Sequence, residues 1–263
     1  MKRLFWSGLL LAWLTLAQAM AQSPFDGTWK IDPNSYQLPT KPDVYLLQDG
    51  TYHCPTCDPP LEIRADGQDQ KITAEACYDT VSVKVVDGRT IEETDKRNGK
   101  TVGTARMTVS SDGNTLTDDW TDSCNAKGDV VSGKQLLSRV AKGPGGSHAI
   151  SGSWQALKDV SHSDNALVVT LKLEADTFTF ADPTGQSYAA RLDGTEALFK
   201  GGLENTTVSV KRIGENTIKQ TDKRGGKTVG IVRFTISADR KSISVSMEDT
   251  VKGTTVHFVL RKQ

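Results

Sequence analysis

The feature that most constrains this chain is a duplication. Arg64-Ala65-Asp66-Gly67 recurs as Arg191-Leu192-Asp193-Gly194, and Thr80-Val81-Ser82-Val83-Lys84 as Thr207-Val208-Ser209-Val210-Lys211. Farther on, Thr94-Asp95-Lys96-Arg97 recurs as Thr221-Asp222-Lys223-Arg224, and Gly99-Lys100-Thr101-Val102-Gly103 as Gly226-Lys227-Thr228-Val229-Gly230. Each pair is offset by 127 positions, and about two positions in five agree without a gap from Arg64 to Thr117, far beyond chance for a repeat of domain size. The fronts of the copies match less closely but share Gly27-Thr28-Trp29 and Gly152-Ser153-Trp154. Between them, Lys142-Gly143-Pro144-Gly145-Gly146-Ser147 has neither a hydrophobic period nor helix formers and reads as a linker. The expected division is a leader over 1–21, a first repeat over 22–141, a linker over 142–148 and a second repeat over 149–263.

The leader has the three parts of a secretory signal peptide. Lys2 and Arg3 precede an apolar core from Leu4 to Leu16, and Ala19-Met20-Ala21 offers small residues for cleavage. The core is shorter than the roughly 20 residues of a membrane-spanning helix, and Gln22, Ser23 and Pro24 lack the cysteine of a lipoprotein. The expectation is a free, soluble, periplasmic or secreted protein without a membrane span. Its 32 basic and 32 acidic residues balance without long runs, so neither nucleic acid nor an anionic membrane surface is an expected partner.

An apolar content of 37%, with abundant Thr, Ser, Val, Asp, Gly and Lys, suits short strands with one wet face. Stretches 167–173, 177–180, 208–213, 228–236, 243–247 and 255–260 are β-branched or alternate apolar with polar, and no segment makes a convincing amphipathic helix. Asn98-Gly99, replaced by Gly225-Gly226 in the second copy, suits a tight primed hairpin, and Asp112-Gly113 signals another turn. The predicted fold is all-β: two tandem antiparallel up-and-down barrels of about eight to nine strands each, with a two-sheet sandwich as the alternative. Each copy has a Gly-x-Trp in its first strand and an Arg in its last. In a closed meander these strands are neighbours, which predicts Trp29 with Arg139 and Trp154 with Arg261 as barrel closures.

Phe25-Asp26-Gly27-Thr28-Trp29-Lys30 with Arg139 resembles the start and finish of lipocalin and fatty-acid-binding-protein barrels, the calycin group. The repeat cores, Thr-Asp-Lys-Arg followed by Gly-Lys-Thr-Val-Gly, are similar to lipocalin-like proteins exported by bacteria, over nearly the whole mature chain. The resemblance implies a barrel with a ligand-sized interior. It does not imply a fatty acid, because the middle Thr-Asp-Tyr motif of lipocalins is absent and Pro33, Pro39 and Pro42 stand where the fatty-acid binders carry a helical lid.

All four cysteines, Cys54, Cys57, Cys77 and Cys124, lie in the first half, and an oxidising compartment favours disulfides. Strand counting places Cys77 and Cys124 at one barrel end, which leaves Cys54 to Cys57 as a local bridge. His53-Cys54-Pro55-Thr56-Cys57 also has the spacing of a redox dithiol or half a zinc site. The flanking Pro59 and Pro60 indicate a loop, however, where redox pairs usually begin a helix.

Two-residue alternation sends Glu93 and Asp95 inward with Ile91, and Asp118 and Trp120 inward with Leu116. The second copy has Gln220 and Asp222, then Val245 and Met247, at the same places. The first interior is therefore expected to be the more acidic and the place for specialised binding chemistry. The alternative is that these acids sit at a solvated rim beside Lys96 and Arg97.

Histidines 53, 148, 162 and 257 lie in dissimilar contexts, and no nucleophile elbow, phosphate loop or metalloprotease motif occurs. The expected function is non-enzymatic, without cofactor or metal: barrels that hold a small, apolar or amphipathic molecule against candidates Glu93, Asp95, Asp118, Trp120, Phe234, Val245 and Met247. The competing reading is a structural or interaction module whose small barrels are filled by their own side chains.

Overall fold

The computed structural model describes residues 23–72, 77–202 and 205–263; the leader over 1–21 lies outside the described residues. Those residues form twenty strands and one 3-10 turn at Asp164–Ala166. The first repeat supplies β1 (Gly27–Gln37), β2 (Asp43–Gln48), β3 (Thr51–Cys54), β4 (Leu61–Arg64), β5 (Gln70–Lys71), β6 (Thr80–Asp87), β7 (Thr90–Arg97), β8 (Lys100–Val109), β9 (Thr115–Asp122) and β10 (Val131–Lys142). The second supplies β11 (Gly152–His162), β12 (Val168–Glu174), β13 (Thr177–Ala181), β14 (Ser187–Arg191), β15 (Asp193–Leu198), β16 (Thr206–Arg212), β17 (Thr217–Arg224), β18 (Lys227–Ile236), β19 (Ser242–Asp249) and β20 (Thr254–Lys262).

The strands make two nearly closed antiparallel barrels of ten strands each, all-β as expected. Alternation decides which side chains enter them: along β6, Val81 and Val83 are fully buried, and along β16 Val208 and Val210 are their counterparts. The hairpin between β7 and β8 turns on Asn98 and Gly99, with φ of 52° and 75°; its repeat turns on Gly225 and Gly226, with φ of 54° and 78°. Positive φ at both central residues is what the primed turn requires.

The repeats do not coincide with the barrels. The sheet order in the first barrel is β4-β3-β2-β11-β10-β9-β8-β7-β6-β5, and in the second β14-β13-β12-β1-β20-β19-β18-β17-β16-β15. Each barrel thus takes its leading strand from the other repeat. Loop closure explains the choice. β11 follows β10 through the turn over 143–151, closed by Gly143 N donating to Ser151 O at 3.1 Å, and pairing across a short connection costs little entropy. β1 then occupies the edge of β20 that β11 leaves, with Trp29 opposite Lys262 and Lys30 opposite Arg261. The segment expected to link two domains is therefore a hairpin turn within the first barrel, and the barrels are joined instead by residues 38–42 and 163–167. Isolated bridges, Asp66 with Lys84 and Ser187 with Lys200, bring the sheet edges together.

The exchange also corrects the expected closures. Trp29 and Trp154 are both fully buried, and their indoles donate to Phe25 O at 2.9 Å and Ile150 O at 2.8 Å. Arg139 lies 3.9 Å over Trp154, not Trp29, and donates to Ser151 O at 2.7 Å and Ala149 O at 2.6 Å. Trp29 meets Lys262 Nζ at 5.3 Å, while Arg261 turns to Asp32 at 3.4 Å. First and last strands are indeed neighbours, but of different repeats, and the β20 register sends residue 262 rather than 261 to the indole. The motif glycine is needed because Gly152 has φ of 139° and a Cβ there would lie 2.3 Å from Ala141 O.

Candidate functional site

The twin barrels share a scaffold and have different interiors. In the second, a cavity of about 800 Å³ is lined from every side: Ile31 of β1, Val169 of β12, Phe180 of β13, Tyr188 of β14, Phe234 of β18, Val245 and Met247 of β19 and Phe258 of β20. It extends to the rim of the first barrel at Asp43, Gln135 and Ala156. The β13 sequence Thr-Phe-Thr-Phe sends both phenylalanines inward. Phe178 packs deep against Phe234, with ring centroids 5.7 Å apart, and Phe180 stacks on Tyr188 at 5.5 Å. Phe199 closes on Tyr188 at 5.8 Å.

Charged and polar groups, among them Lys41, Asp43, Asp182, Glu248 and Lys252, also line the cavity, and two polar sets lie on the β16–β17 side. Tyr188 Oη donates to Gln220 Oε1, and Gln220 Nε2 donates to Asp222 Oδ1 at 2.8 Å. Burial pushes the Asp222 carboxyl above its ordinary range, and the Gln220 hydrogen bond opposes this. Across the β16–β17 pair, Thr206 faces Arg224; both line the cavity. Thr206 Oγ1 and Arg224 Nε are sealed from solvent and have no hydrogen-bond partner.

The first interior is acidic. Glu93 lies between Val83 and Ala105 of the neighbouring strands, and Asp118 between Met107 and Gln135. Glu93 Oε2, Asp95 Oδ1 and Asp118 Oδ1 are buried without a hydrogen-bond partner, as is the hydroxyl of Tyr52, a residue with no exposed surface. Tyr45 stacks on Tyr52 with centroids 6.3 Å apart and rings 15° from parallel. Burial, then the neighbouring Asp95 and Asp118, pushes Glu93 up to about 8. Burial also raises Asp118 and Asp95 to about 6 each, helped by Asp119 and Asp43 in the first case and Asp122 in the second. Lys96, one of the two expected rim partners, is held by Asp69 at 2.7 Å.

The predicted site residues thus separate. Phe234, Val245 and Met247 converge on the second cavity, and Glu93, Asp95 and Asp118 face the first interior. Trp120 is half-buried near the first barrel's rim, against the backbone of Gly133 and 5.7 Å from His162. Cys54 is joined to Cys57 and Cys77 to Cys124, as expected, so none of the four thiols is left for a metal or a dithiol site. Among the described residues no group of three or more His, Cys, Asp or Glu is placed to hold a metal ion. Sequence reading missed Tyr45, Tyr52, Phe180, Tyr188 and Phe199; for Phe180, the alternation of β13 was the available signal.

Comparison with protein-family models, with curated proteins and with solved structures finds no match in any of the three.

Proposed function

We propose that this is an exported, lipocalin-like binding protein that sequesters one small, partly apolar molecule in its second barrel. The observation that carries the reading is the cavity of about 800 Å³, with an aromatic wall on one side and polar and charged groups on the others. That size and composition are those of small-molecule sites. The apolar body of the ligand lies on Phe180, Tyr188 and Phe234, gaining about 25 cal/mol per Å² of buried area before association costs. An acceptor group on the ligand faces the guanidinium of Arg224, which lines the cavity beside Thr206. The two disulfides support an oxidising compartment, and with it the leader's implied export to the periplasm or beyond.

The test uses two dyes on delipidated protein. Anilinonaphthalene sulfonate, with an anionic acceptor, and neutral N-phenylnaphthylamine should each bind saturably at one site. Arg224→Met should weaken the sulfonate about tenfold, the worth of a charge-assisted hydrogen bond, and leave the neutral dye nearly unchanged. If neither dye saturates, the reading fails and a filled interaction module replaces it.

A further inference from the structure

We infer that the interior of the first barrel is a second, chemically distinct site, which takes a small organic ammonium ion between Glu93, Asp118 and the paired rings of Tyr45 and Tyr52. The first ground is an unmet demand for donors. Three carboxylates from two strands direct buried oxygens without partners into one interior, and no lysine or arginine is paired with Glu93, Asp95 or Asp118 among the described ion pairs. The second ground is independent of the acids. Tyr52 is fully buried and its hydroxyl has no partner, although it lies close enough to feel the charges of Glu93 and Asp118.

The third ground is a comparison within the chain. At the positions of Glu93 and Asp118 the second repeat has Gln220 and Val245. Tyr52, flanked across its strands by Leu47 and Ile63, has Phe178 as its counterpart, flanked by Leu173 and Ala190. Gln220 is hydrogen-bonded on both sides, so the scaffold accommodates a satisfied, uncharged interior. Glu93, Asp118 and the Tyr52 phenol are therefore specific to the first barrel, whereas Asp95 is matched by Asp222.

The shape of the demand selects the ligand class. The acceptors are spread over β7 and β9 rather than gathered on a point, and no three converge as metal ligands among the described residues. A polyatomic cation with several N–H donors matches separated acceptors, and Tyr45, stacked on the buried Tyr52, offers a ring face to its positive charge. Tyr45, Glu93 and Asp118 lie on the inward-facing alternation of their strands and are only partly buried, so a ligand has surface to reach. The other groups facing it are Asp43, Asp95 and Asp122, all carboxyls raised by burial, and Tyr78. Binding a cation here favours the ionised carboxylates, so protons leave as the ligand enters.

Isothermal titration of the full mature protein at pH 7 with 2-phenylethylammonium and its neutral isostere 2-phenylethanol tests the inference. The ammonium should bind saturably, with a heat that varies with the buffer's ionisation enthalpy. Glu93→Gln and Asp118→Asn should each weaken it at least tenfold while leaving N-phenylnaphthylamine binding unchanged, which separates this site from the second-barrel cavity. Should Asp118→Asn fail to fold, Glu93→Gln and Tyr52→Phe, each importing the second repeat's residue type, carry the comparison. Equal binding of ammonium and alcohol, no ammonium binding, or ammonium binding indifferent to Glu93 would overturn it, leaving a protonated and hydrated interior.

Discussion

At the scale of single residues, the carboxyls of the first barrel make the empty protein pH-sensitive. Glu93 moves from 4.5 in an open chain to about 8 in the fold. The folded state therefore holds more protons than the unfolded chain between those values, and this group's contribution to stability falls as pH rises through that window. Asp118 and Asp95, raised to about 6, act in the same direction over a lower window. Glu93→Gln should raise the unfolding free energy at pH 8 by about 2–4 kcal/mol and change it little at pH 4.5, as urea unfolding at the two values would read. An equal effect at both would show that Glu93 is not held in a carboxylate-hostile interior. The inward direction of Glu93 and Asp118 was legible from their spacing to Ile91 and Leu116. Their lack of partners was not, since it depends on Lys96 reaching Asp69, 27 positions away in sequence. Tyr52 was hidden for a similar reason: its strand, Thr51–Cys54, is too short to show a period.

At the scale of strands, the turns and the pairing of the cysteines followed from local sequence, because positive φ and alternating strand direction are local properties. Strand exchange was not readable. Gly27-Thr28-Trp29 and Gly152-Ser153-Trp154 are equivalent plugs, and either strand fits either slot; the short turn over 143–151 decides, by making β10 and β11 a hairpin. A prediction follows from the register. Lys30 sits opposite Arg261 on the same face of the sheet, so in an Arg261→Lys variant a short amine cross-linker should join positions 30 and 261. A link from Lys30 to Lys142 instead would place β1 back in its own repeat's barrel. The crossing segment over 38–42 holds the barrels further together through Lys41 Nζ, which donates to Lys252 O at 2.9 Å, and the β9–β10 loop adds Lys127 N donating to Thr184 O at 3.2 Å.

At the scale of the whole molecule, duplication has kept one scaffold and divided its chemistry. The sequence indicated unequal copies and pointed to the first for a specialised site; the large cavity lies in the second, whose aromatic wall comes from Phe180, Tyr188 and Phe199 on segments where the repeats match poorly. Glu93, Asp95 and Asp118 of the first barrel do not line that cavity, although it reaches their neighbours Asp43 and Gln135. Position 118 in the first repeat and 245 in the second are the same place on the scaffold, Asp in one and Val in the other. Exchanging them tests the division most directly, with N-phenylnaphthylamine and 2-phenylethylammonium titrated against Val245→Asp and Asp118→Val. Val245→Asp should weaken the apolar dye at least tenfold and spare the ammonium, because a buried carboxylate without partners costs several kcal/mol. Asp118→Val should do the reverse. If either substitution weakens both probes equally, or neither probe responds, the two interiors are not separate sites.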